Sequence, residues 1–152
     1  MTAEAMTLAR PDIATTVRNY ISLTKPRIIS LLLITTVPAM VVAQRGWPST
    51  WLVLATLVGG SLSAAGANAI NCWYDRDIDA VMRRTQRRPL ATGEIEPAHG
   101  LIFGITLGAV AFVFLWATTT LAAALLALAA LLFYVFIYTI WLKRRTPQNI
   151  VI

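Results

Sequence analysis

Asn71, Asp75 and Asp79 stand four residues apart in the segment Asn71-Cys72-Trp73-Tyr74-Asp75-Arg76-Asp77-Ile78-Asp79. On a helix, each four-residue step overshoots a full turn by only about 40°. The three side chains therefore form one stripe about 12 Å long, and Asp77 points elsewhere. Two carboxylates one turn apart repel. At about 6 Å and an effective dielectric near 20, the cost is roughly 3 kcal/mol. A cation should offset it, and the candidates are Mg²⁺ and the local arginines. Mg²⁺ takes oxygen ligands, commonly one or two carboxylates together with substrate phosphates and water. Asp75 and Asp79 are the candidate metal ligands. Asn71 offers a carbonyl oxygen to the metal or an amide donor to a phosphate.

The run Arg83-Arg84-Thr85-Gln86-Arg87-Arg88-Pro89-Leu90 follows. Guanidinium forks match phosphate oxygens. An acid stripe able to hold a metal, followed by arginines, suits a metal–diphosphate. Arginines beside membrane spans also serve simply to orient the chain, and Lys143-Arg144-Arg145 is read in that way. Tyr138 could donate to a diphosphate oxygen, though its position suits an aromatic belt. His99, the only histidine, reads as a solvated loop residue and Cys72 as a small packing residue. With one cysteine, an internal disulfide and a multi-thiolate zinc site are excluded.

The elements that must position this stripe are membrane spans. The chain has 152 residues, 57% of them hydrophobic and 13% charged, with a mean hydropathy of +0.67. Soluble domains average about 25% charged residues. That excludes an ordinary soluble enzyme and a disordered chain. The net charge of +6 does not imply nucleic-acid binding, because the basic residues lie between long apolar runs. Spans are expected at 28–43, 51–70, 101–117 and 121–142. Residues 101–142 carry no charge, and as one helix they would run about 63 Å, twice the hydrocarbon core. They must fold back, with Thr118-Thr119-Thr120 as the expected turn. The small residues of span two, among them Gly59, Gly60, Ser63 and Gly66, suit close helix packing.

Twelve of the thirteen basic residues, and all seven acids, fall on one side of this four-span hairpin. Only Arg45 falls on the other. The positive-inside rule makes the crowded side cytoplasmic, so both ends are expected there, in a multi-pass protein of the inner (plasma) membrane. The first apolar run begins too late for a signal peptide. Within residues 12–24, Ile13, Val17, Tyr20, Ile21 and Thr24 recur at helical spacing, the pattern of an interfacial helix on the inner leaflet. The expected organisation is a cytoplasmic tail with that helix, 1–27, and a transmembrane domain, 28–152.

The pattern Asn71-x-x-x-Asp75-x-x-x-Asp79, followed by Arg84-Thr85-x-x-Arg88-Pro89-Leu90-x-x-Gly93, resembles the first aspartate-rich motif of the intramembrane aromatic prenyltransferase superfamily. Leu23-Thr24-Lys25-Pro26-Arg27, the wording between Asn71 and Asp79, and Trp141 through Asn149 are similar to its haem-farnesylating branch. The resemblance implies an all-helical bundle of about nine spans with a central cavity and two aspartate motifs that help bind Mg²⁺ and farnesyl diphosphate. It implies haem b as acceptor. It gives Asn71, Asp75 and Asp79 to metal and diphosphate, and Arg84 and Arg88 to phosphate. No aspartate follows Asp79, so the chain is expected to be the N-terminal part of such a bundle. Two alternatives stay open. One is another membrane prenyltransferase of quinone or chlorophyll synthesis. The other is a non-catalytic four-helix subunit whose stripe pairs with Arg83 and Arg87.

The charge count predicts that, after replacement of Cys72, single cysteines near Arg87 and at Gly46 label from opposite faces of the membrane. Labelling near Arg87 by an impermeant reagent from the outer face would overturn the topology.

Overall fold

A computed structural model describes residues 12–145 as helices joined by short turns. The start of the expected tail, residues 1–11, and the motif's end, 146–149, lie outside the described residues. So do residues 150–152.

Helix α1 (Ile13–Leu23) leaves Ile13, Val17 and Ile21 exposed, the helical spacing read in the sequence, and buries Leu23. Tyr20 meets the Phe103 ring edge-on at 5.0 Å, and the Asn19 amide donates to Glu94 at 2.7 Å. Between α1 and α2 (Pro26–Gln44), Lys25 takes the left-handed φ of 54°. That region is uncommon for a residue with a Cβ. Pro26 then occupies the first helical position, where its missing N–H costs nothing.

Four helical segments are long and apolar enough to cross a membrane: Pro26–Gln44, Thr50–Tyr74, Pro97–Thr118 and Leu121–Arg145. The first is three residues longer than the expected span, because Pro26 starts the helix and Gln44 is still helical. At 19 residues it covers about 29 Å, close to the hydrocarbon thickness. The second span, α3 (Thr50–Tyr74), begins at Ser49, whose hydroxyl accepts from the Leu52 N–H. Two short helices follow on the polar side, α4 (Arg76–Val81) and α5 (Pro89–Thr92), and Gly93 closes α5 at φ 83°. The third span is α6 (Pro97–Thr118). The expected turn stands where the threonines predict it. Thr118 and Thr119 return their hydroxyls to the carbonyls of Phe114 and Leu115, and Thr120 caps α7 (Leu121–Leu132) by accepting from the Ala123 N–H.

The fourth span departs from a plain α-helix. From Phe133 to Leu142 it winds as a π-helix before α8 (Lys143–Arg145). The Thr139 hydroxyl donates to the Tyr134 carbonyl five residues back. Such turns are rare and occur frequently at functional sites.

The bundle is held by the approach of α3 to α6. Gly100, Gly104 and Gly108 form a buried stripe on α6, at the four-residue spacing of close-packed membrane helices. A Cβ on Gly66 would stand 2.8 Å from the Gly104 carbonyl oxygen and 2.9 Å from the Gly108 nitrogen. Backbone cannot move aside as a side chain can. A Cβ on Gly60 would meet nothing within 4 Å. Overpacking commonly costs about 1–3 kcal/mol. Gly66→Ala should therefore lower the thermal unfolding temperature in detergent by several degrees, while Gly60→Ala leaves it unchanged or raises it. Equal effects would refute backbone contact as the limit.

Candidate functional site

Helix α3 closes at Tyr74, and the chain passes through Asp75 (φ −87°, ψ 3°) into α4. The expected single helix is therefore interrupted at the middle residue of the stripe. The four-residue repeat survives, because the Asp75 N–H donates to the Asn71 carbonyl at 3.0 Å and the Asp79 N–H to the Asp75 carbonyl at 2.8 Å. Asn71, Asp75 and Asp79 are accordingly all buried, Asp75 fully so. The Asp77 side chain is 60% exposed. The stripe separates from Asp77 as its spacing predicts.

Each buried member meets a cation or its neighbour. Lys25 Nζ donates to Asn71 Oδ1 at 2.6 Å. Asn71 Nδ2 donates to Asp75 Oδ2 at 2.8 Å and to Thr139 Oγ1 at 3.1 Å. Lys143 Nζ reaches the same Asp75 Oδ2 at 2.5 Å. Arg88 Nη1 donates to Asp79 Oδ2 at 2.6 Å. Asp75 Oδ1 is the one buried side-chain polar atom without a hydrogen-bond partner among the described residues.

Local folding explains each placement. Lys25 is aimed by the α1–α2 bend, which α3 holds from below. Asn68 Nδ2 donates to the Thr24 carbonyl at 2.9 Å, and the Cys72 thiol points to the Leu23 carbonyl at 3.8 Å. Arg88 follows a turn pinned by the Thr85 hydroxyl, which donates to the Asp79 carbonyl. Thr139 and Lys143 both come from the fourth span and reach the same side. Arg144 fastens the rim. It donates to both Asp77 oxygens, at 2.7 and 3.1 Å, and to the Tyr74 carbonyl, and lies 4.4 Å over the Tyr74 ring.

Several expectations need correction. Lys143 is not only an orienting charge, since it neutralises the buried Asp75. Of the two proposed phosphate partners, Arg88 is in the site and Arg84 is on the surface. Arg83 and Arg87 are also exposed, and the stripe pairs with Arg88 and Lys143 in their place. Lys25 was counted only as a charge and as part of a resembling phrase. Its signal lay in a lysine placed directly before the proline that starts a span. Thr139 continues the buried stripe of Leu131 and Val135 at four-residue spacing, and that spacing is its signal in the sequence. Tyr138 stacks on Tyr134 at 5.2 Å. His99 is exposed and 3.7 Å from Glu96.

Burial is the largest influence on Lys25 and pushes its ammonium below the usual lysine range; Arg88 and Lys143 push the same way. The bond from Arg144 holds the Asp77 carboxyl below the usual carboxylate range. No cluster of three or more metal-ligating side chains occurs among the described residues. What exists is two carboxylates, one with an unsatisfied oxygen, ringed by three cations. Beside it, an apolar cavity of about 350 Å³ opens between α2, α3 and α7 at Asn68 and Tyr134.

Residues 32–152 match the model of the UbiA prenyltransferase family. The chain belongs to that family. It is 58% identical to the protoheme IX farnesyltransferase of Clavibacter michiganensis over 139 residues, which is 91% of this chain and 45% of that protein. It is 62% identical to protoheme IX farnesyltransferase 1 of Saccharopolyspora erythraea over 132 residues, 87% of this chain and 42% of that protein. The chain thus spans less than half the length of these relatives. No solved structure matches it.

Breaking a buried ion pair by removing one partner commonly costs about 3–5 kcal/mol, whereas exposed pairs contribute about 1 kcal/mol or less. Lys143→Met should therefore destabilise the protein clearly more than Arg144→Met in detergent thermal unfolding. Adding Asp75→Asn to Lys143→Met should restore part of the loss. Without such recovery, Lys143 would not be the counter-charge of Asp75.

Proposed function

We propose that this chain supplies the first diphosphate-binding motif of a protohaem IX farnesyltransferase, which transfers the farnesyl group of farnesyl diphosphate to a vinyl group of haem b to give haem O. The observation that carries the reading is the fully buried Asp75, whose Oδ1 is unpartnered inside a ring of Lys25, Arg88 and Lys143. A carboxylate oxygen left unsatisfied costs free energy unless something else uses it. An Mg²⁺ ion, which prefers such oxygens and shares them with phosphates, fits Asp75 and Asp79, with Asn71, whose amide hydrogens go to Asp75 and Thr139, contributing its oxygen. When bound, that ion would neutralise charge growing on the leaving diphosphate.

Lys25, Lys143 and Arg88 bind the diphosphate oxygens and stabilise them as the allylic C–O bond breaks and its electron pair leaves with the diphosphate. Donors fixed in advance are the largest single source of such stabilisation. Lys25 is held in a left-handed backbone conformation and the other two in ion pairs, so all three are placed before substrate arrives. The apolar cavity beside Asn68 takes the farnesyl chain and keeps bulk water from the cation. The vinyl π electrons of haem b then attack, and water adds to the resulting cation as a hydroxyl with loss of a proton. The 54–62% identity to proteins named for this activity supports the choice of haem as acceptor over quinone or chlorophyll precursors.

The exposed Ile13, Val17 and Ile21 of α1 support its assignment as an interfacial helix of the 1–27 segment, with 28–152 as the transmembrane part. The charge asymmetry supports an inner-membrane protein with its N-terminus and diphosphate site on the cytoplasmic side.

In a haem O formation assay on the full enzyme, Asp75→Asn and Asp79→Asn should each lower turnover by about 100-fold or more, the scale of losing one fixed stabilising group. Asp77→Asn should lower it by less than tenfold, since its carboxylate faces the rim. Equal losses at all three positions would refute the buried-stripe reading.

A further inference from the structure

We infer that these four spans carry a site for an anionic phospholipid, separate from the diphosphate site. A second apolar groove of about 540 Å³ runs between α3, α6 and the fourth span. It lies on the other side of Leu131, which lines both cavities. Its polar end is closed by Trp73 and Tyr74, and its walls reach Phe112 and Val113 on α6. From Leu101 to Val113 that wall is about 18 Å long. An all-apolar groove at this depth takes hydrocarbon.

The mouth specifies the headgroup. Arg76 lies 5.4 Å over the Trp73 ring and donates to the Trp73 carbonyl. It has no carboxylate partner among the described residues. Arg144, over the Tyr74 ring, is matched by Asp77. The acids leading into α6 are engaged elsewhere, Glu94 with Asn19 and Glu96 beside His99. The mouth is thus net positive above an apolar slot, at the level of two interfacial aromatics. Basic pockets between spans select anionic lipid headgroups, at about 1 kcal/mol per arginine, or about fivefold. A zwitterionic lipid brings no net charge to this mouth. Farnesyl diphosphate also joins phosphate to an apolar tail, but the cations placed for it, with the unsatisfied Asp75 oxygen, lie in the other site.

The test uses the full protein with every tryptophan except Trp73 replaced by Phe, Trp47, Trp51, Trp116 and Trp141 among them. It is reconstituted in phosphatidylcholine vesicles carrying brominated phosphatidylglycerol or, separately, brominated phosphatidylcholine. Trp73 should be quenched several-fold more effectively by the anionic lipid. Arg76→Gln should reduce that preference about fivefold, and Ala109→Phe, which fills the groove, should weaken quenching by both lipids. Equal quenching by the two lipids would overturn the site as ordinary annular contact. Absence of quenching would overturn it as a groove covered by protein, and relief by farnesyl diphosphate would reassign it to substrate. If the tryptophan replacements prevent folding, native mass spectrometry of the otherwise unmodified protein decides. Retained phosphatidylglycerol that is lost with Arg76→Gln supports the site, and indifference to that substitution overturns it.

Discussion

A carboxylate with no solvent exposure must be compensated where it stands, and Asp75 sets that constraint for the whole bundle. The effective penalty for desolvating an ion is several kcal/mol even after relaxation, comparable with the entire stability of an ordinary domain. Lys143 and Asn71 meet it on one oxygen. Asn71 is held in turn by Lys25, and Asp79 by Arg88. Compensation therefore comes from four separate stretches of chain: the bend before α2, the end of α3, the turn before α5 and the end of the fourth span. A packing arrangement that failed to bring them together would leave a bare charge beside hydrocarbon. The site and the helix order are one problem with one solution.

The same logic explains where backbone irregularity is concentrated. The left-handed Lys25, the break at Asp75 and the π-helical winding before Lys143 all border the site. One further left-handed residue, Arg45 at φ 53°, ends α2 away from the site; the other helices are closed by ordinary devices, a serine or threonine cap, a glycine C-cap or a proline at the first position. Departures from regular geometry cost free energy and persist where surrounding contacts over-determine them. Here those contacts are hydrogen bonds to buried polar groups.

Much of this was legible in the residues. The four spans follow from length and apolarity alone. The threonine turn follows from the impossibility of a 42-residue span, and the separation of Asp77 from its neighbours follows from helical angle. The stripe of small residues on α3 announces close packing, and its partner on α6 is written in the four-residue spacing of Gly100, Gly104 and Gly108. Partner choice was harder to read. Arg84 and Arg88 look equivalent in sequence, and only the turn pinned by Thr85 sends one inward. Lys143 looks like any basic residue after a span. Its reach to Asp75 is a contact across 68 residues of chain, which apolar composition does not encode.

The separation of Asp75 from Lys143 along the chain, 68 residues, has a meaning in time. Ribosomes add about 5–20 residues per second, so the carboxylate precedes its counter-charge into the world by roughly 3–14 s. During that interval the polar end of the second span leaves the ribosome unneutralised. The newborn hairpin must then keep Asp75 at the water boundary until the fourth span arrives. Assembly of this half therefore closes from its far end, and the arrival of one lysine marks the moment at which the carboxylate can withdraw from water.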